Sequence, residues 1–183
     1  MKHFHMKKQI QLFLLTAAFL PLAQAHIVLT EPQAIAGSYY KATLRVGHGC
    51  NGSATTGLTV QVPVGFQDAK PQPKTGWTIA TRKAKLAQPY NSHGKTVTDD
   101  VAELRWRVAS KEAALSDDQF DEFAFLGRLS DSAGPLWVKV LQICENGQND
   151  WSELPVSGTS TRGMKLPAAL LDVQPAPKHE HHH

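Results

Sequence analysis

Between Tyr39 and Glu145 the chain alternates apolar and polar residues with a period of two, and that period decides the class of fold. In "SYYKATLRV", Tyr40, Ala42, Leu44 and Val46 share one face, and Tyr39, Lys41, Thr43 and Arg45 share the other. "GLTVQVP" groups Leu58, Val60 and Val62 against Thr59 and Gln61; "AELRWRVA" groups Leu104, Trp106 and Val108 against Glu103, Arg105 and Arg107. "DEFAFLG" and "PLWVKVLQICE" are further strands. Turn signals stand between them: Gly47-His48-Gly49, Asn51-Gly52, Pro63, Pro71, Pro73, Gly134-Pro135 and Asn146-Gly147. Short half-buried strands with such punctuation predict an all-β sandwich. Helical pattern is confined to "SKEAALSDDQF", Ser110 to Phe120, which has room for a turn or one short helix. After "WSELP" the pattern fades. The domain is expected over 26–157, and 158–183 as a partly disordered tail in which only the apolar knot Leu166 to Val173 packs back.

The first 25 residues are expected to be removed. Lys2, Lys7 and Lys8 precede an apolar run from Ile10 to Leu20, and Ala23-Gln24-Ala25 offers small residues where a signal peptidase inspects them. The run is short for a membrane span of about 20 residues, so a cleaved leader is preferred to an uncleaved anchor. Periplasmic or secreted localisation follows, with a new amino terminus at His26. The whole chain carries 19 Lys+Arg against 16 Asp+Glu, and the three leader lysines account for the excess. The mature chain is balanced and has no basic stripe, which argues against a nucleic-acid partner.

Cys50 and Cys144 are the chain's two cysteines. In an exported protein an isolated pair is most simply a disulfide. A thiolate metal site is the rival, weakened by the distance between them; His48, two residues before Cys50, keeps a soft-metal variant open.

His26 carries the most pointed chemistry. A histidine at a free terminus offers two nitrogens to one metal, the terminal amine and the ring Nδ1, in a small chelate ring. An internal histidine has an amide nitrogen and cannot do this. Such nitrogen donors suit Cu(II), which heads the affinity order of divalent first-row metals. The bland alternative is that His26 merely follows the cut.

Several stretches together resemble the YcnI-like family of exported copper-binding domains. They are "AHIVLTEPQAIAGSYYKATLRVGHGCNGSATTGLTVQVPVGF", "KPQPKTGWTIATRK", "LRWRV", "DEFAF" and "LWVKVLQICENGQNDWSELP", in matching order from His26 to about Pro155. The resemblance implies an immunoglobulin/cupredoxin-like β-sandwich with one Cu(II) in a mono-histidine brace. In such a site a carboxylate and a neighbouring tryptophan accompany the terminal histidine. Glu122 of "DEF" and Trp137 of "PLWVKV" are the best matches, with Glu31 and Asp121 as alternate carboxylates. The implied role is copper storage or delivery in copper homeostasis, without enzymatic activity or a small-molecule substrate. A membrane copper importer or another periplasmic copper chaperone is the implied partner.

Read without the resemblance, Glu122 alternates with Phe123 and Phe125 and belongs on a solvated face. Trp137 shares a face with Lys139, away from Val138 and Val140, and either walls a site or covers a sheet edge; Trp77, Trp106 and Trp151 look like packing residues. His48 and His93 are expected in exposed loops, with His48 as a possible accessory ligand. His179, His181, His182 and His183 end the chain in "KHEHHH", either a purification remnant or a low-specificity metal tract. Two other classes compete: a copper-dependent oxidative enzyme of the polysaccharide monooxygenase type, which needs a second imidazole, and a metal-free interaction domain.

Overall fold

The computed structural model describes residues 26–177. The expected leader and the four tail histidines lie outside that range. Eleven strands follow in order: β1 (Val28–Leu29), β2 (Gln33–Ile35), β3 (Tyr39–Val46), β4 (Thr55–Gln61), β5 (Phe66–Pro71), β6 (Trp77–Ser92), β7 (Lys95–Val108), β8 (Asp121–Leu129), β9 (Gly134–Cys144), β10 (Gln148–Trp151) and β11 (Ala169–Gln174). The expected short helix of Ser110 to Phe120 is a single 3₁₀ turn, Lys111–Ala113.

The strands form two facing sheets. One runs β1-β3-β8-β5; the other has seven strands in the order β2-β11-β9-β4-β7-β6, with β10 also paired to β9. All pairings are antiparallel except that of β2 with β11. The apolar rows read from the sequence form the core: Ala42, Leu44, Val46, Leu58, Val60, Leu104, Trp106 and Phe125 are fully buried. Phe123 packs edge-to-face on Trp77 and Trp106, and Phe125 packs on Phe66. The Phe123 contacts join the two sheets, and the Phe66–Phe125 contact lies within the smaller one; each adds to the area it removes from water.

The "KPQPKTGW" stretch crosses between the sheets. Gln72 lies between two prolines that lack an N–H. Its own N–H reaches the Ala124 carbonyl, and its carbonyl accepts from Trp106 Nε1. The hairpin from β6 to β7 turns on His93 and Gly94, both at positive φ, and this puts His93 at an exposed tip.

The domain does not stop at 157. β11 is inserted between β2 and β9, and Ala169, Leu171 and Val173 are core residues. The apolar knot is therefore a strand inside the larger sheet. The weakly patterned residues before it return the chain to that sheet, where the Glu153 N–H reaches the Leu166 carbonyl and the Ala168 N–H the Glu153 carbonyl.

Candidate metal centre

The antiparallel register of β1 on β3 sets Val28 opposite Arg45 and Leu29 opposite Leu44. His26, just before β1, and His48, just after β3, therefore leave the sheet at the same end. Both rings meet Trp151 of β10. The centroid separations are 5.8 Å for His26 and 6.1 Å for His48, with interplanar angles of 62° and 65°. Trp151 is 2% exposed, and the two histidines are partly buried.

A buried polar hub holds this corner. Gln142 of β9 is fully buried and faces the core. Its Oε1 accepts from Trp151 Nε1 at 2.9 Å, and its Nε2 donates to the His48 carbonyl at 2.7 Å and to Thr55 Oγ1 at 2.8 Å. One amide thus orients the indole and the His48 backbone together. Such a group is tolerated in a core only because its partners are present.

The turn after β3 is fixed from other sides as well. His48 Nδ1 donates to the Gly49 carbonyl at 2.5 Å, and the Gly49 N–H donates to Asp117 Oδ1 at 2.9 Å. A side chain at Gly49 would put its Cβ 1.8 Å from the Ser53 carbonyl oxygen, so only glycine fits. Asn51 and Gly52 then turn the chain at positive φ, and Cys50 is bonded to Cys144 across a separation of 94 residues. The expected disulfide is present.

Other anticipated site residues fall elsewhere. The tryptophan beside His26 is Trp151, not Trp137. Trp137 lies opposite Leu170 on the outward side of β9, the same side as Lys139, because Val138 and Val140 face the core. Glu122 is not brought to His26. It sits opposite Arg45, with β3 between its strand and β1, about 10 Å across two strand spacings. Its Oε1 is 3.4 Å from Arg45 Nη2, and both side chains are substantially exposed. Glu31 is exposed, and its carbonyl accepts from Tyr40 Oη at 2.5 Å. Asp121 pairs with Lys74 at 2.6 Å. The carboxylate adjoining the corner is Asp117, through Gly49. Nothing local in the sequence marked it, because the contact spans the sandwich end.

His26 Nε2 is buried and has no hydrogen-bond partner among the described residues. When a histidine ligates a metal through Nδ1, Nε2 carries the proton. Here that nitrogen is buried, in a ring packed edge-to-face with the Trp151 indole. The arrangement fits a terminal histidine that binds through its amine and Nδ1. Among the described residues, no three His, Cys, Asp or Glu side chains gather as metal ligands. A metal at this corner therefore needs a donor beyond side chains, which a free amine at His26 would supply.

The comparison with curated proteins finds no match. A solved structure of a protein from Nocardia farcinica, described as uncharacterized and as revealing an immunoglobulin-like fold, is similar at TM-score 0.63 and 22% identity, covering 81% of this chain and 97% of that one. At that identity the likeness establishes the fold, an immunoglobulin-like β-sandwich. The family match ends inside β11, in keeping with a domain that includes the last strand: residues 26–173 match the model described as Domain of unknown function (DUF1775), the YcnI-like family, and the chain belongs to that family.

Proposed function

We propose that this is an exported Cu(II)-binding protein that stores or delivers copper, with the ion held by the amine and ring Nδ1 of His26 after cleavage behind Ala25. The observation that most supports this is the setting of His26. It stands directly after a signal-peptidase pattern and packs on Trp151, and its ring Nε2 is buried without a hydrogen-bond partner among the described residues. The bound ion would supply Lewis acidity and a redox couple. The chain supplies the rest. Trp151 walls one side and excludes water, Gln142 holds the indole, and the strand register sets the terminal residue against that indole. An α-amine titrates near 8, so loading displaces a proton and strengthens as pH rises through neutrality. Copper would be passed to an importer or to another periplasmic chaperone.

The test is EPR of the mature chain with one equivalent of Cu(II), beginning at His26 or carrying one extra N-terminal residue. His179, His181, His182 and His183 are replaced by alanine in both. A nitrogen-rich type 2 signal confined to the first form is expected. Identical signals from both forms would sink the proposal.

One observation favours a second reading. His48 beside Trp151 is an imidazole of the kind an oxidative copper enzyme needs. Storage or delivery predicts no oxidised products when the loaded protein meets H₂O₂ and a polysaccharide.

A further inference from the structure

We infer that His48 supplies a second imidazole to the ion bound at His26, through Nε2, so that the corner is a two-histidine site. This rests on the proposed copper-binding role and goes beyond a brace with a single histidine.

Three observations carry it. The first is placement. β1 and β3 are neighbours, and their register takes His26 and His48 out of the sheet at one end, over one indole at 5.8 and 6.1 Å. The second is the tautomer. A carbonyl oxygen only accepts, so the 2.5 Å contact between His48 Nδ1 and the Gly49 carbonyl puts the proton on Nδ1. In the neutral ring this leaves the lone pair on Nε2. Metal-ligating histidines commonly donate their other ring N–H to a carbonyl, which fixes tautomer and ring orientation together.

The third is rigidity. Gln142 Nε2 holds the His48 carbonyl at 2.7 Å, Asp117 holds the Gly49 N–H at 2.9 Å, and the disulfide follows at Cys50. A ligand held in place beforehand loses little freedom on binding. Gln142 and Asp117 are positioning residues here. They act through the His48 turn and through Trp151.

The experiment is pulsed EPR (ESEEM) of the Cu(II)-loaded mature chain beginning at His26, with the four tail histidines replaced by alanine. It counts imidazoles through their remote nitrogens and needs no change at His48. Two coupled imidazoles are expected. His48→Phe keeps an aromatic ring on Trp151, and it should reduce the count to one and weaken Cu(II) retention against a competing chelator at least tenfold. Far-UV circular dichroism and an intact disulfide check that the variant is folded. A single imidazole in the unsubstituted chain, with a signal that still requires a free His26 amine, would overturn the inference and leave the proposed function standing. No nitrogen-rich signal at all would overturn both.

Discussion

Replacing Gln142 by methionine tests whether the buried hub is what holds the corner together. The substitution keeps an unbranched side chain of similar length but removes the amide. Trp151 Nε1 loses its acceptor and Thr55 Oγ1 loses a donor, and those two residues are 2% and 0% exposed. The His48 carbonyl also loses its donor, but its partly buried position lets water replace it. Thr55 Oγ1 keeps its long contact to Cys144 Sγ at 3.9 Å. A buried polar group left without a partner costs about 1–3 kcal/mol, so the stranded indole N–H implies a loss of about 1–3 kcal/mol. That is a large share of a total stability of roughly 5–15 kcal/mol. Urea unfolding followed by far-UV circular dichroism, with the disulfide intact, measures it as a lower midpoint at unchanged slope. A double-mutant cycle with Trp151→Phe should show coupling on the order of 1 kcal/mol, because the indole N–H has nothing left to lose once Gln142 is gone. A loss below about 1 kcal/mol would mean that the strands alone set Trp151 and that the hub is incidental.

Ending the chain at residue 157 removes β11 with the buried Leu171 and Val173, each contributing about 1.5–3 kcal/mol of apolar burial, besides the ladder to β9. That truncated chain is expected not to fold, whereas one ending at 177 should match the full chain by NMR dispersion; a folded 26–157 fragment would refute the placement of the last strand. The alkaline limb of stability should depend on Tyr40. Its phenol is pushed up to about 12 by burial and, to a smaller extent, by the Glu31 charge. The neutral form is the one the fold favours. The contribution, about 2–3 kcal/mol for a shift of this size, is therefore present below pH ~10 and lost as pH rises towards 12. Tyr40→Phe should flatten the stability curve between those values, with the remaining slope belonging in part to Tyr90. The Tyr90 phenol is also raised, first by burial and then by its hydrogen bond to Asp100. An unchanged slope in Tyr40→Phe would refute the assignment.

Strand content was legible because alternation is a local property. A residue's face in a strand depends on its immediate neighbours, so Ala42, Leu44 and Val46, or Phe123 and Phe125, could be set in the core without knowing what they pack against. The disulfide was legible by arithmetic, since two cysteines allow one pair. Likewise, the outward side of Glu122 followed from its neighbours, and the fold leaves it there with Arg45.

The centre itself was not local. Its histidines come from either side of β1 and β3, its amide from β9 and its indole from β10; Asp117 comes from the loop before β8. No spacing in the chain links them. Trp137 and Trp151 differ in a way that only strand pairing reveals, one turned outward on β9 and the other inward on β10. β11 was obscured for a related reason, because weakly patterned chain precedes it and its partners lie far back in sequence at β2 and β9. By itself the sequence determined the period, the turns, the cysteine pair and the position of His26. The tertiary structure decided which residues meet His26, because antiparallel register, set by burial over the whole sheet, brings distant side chains to one end of the sandwich.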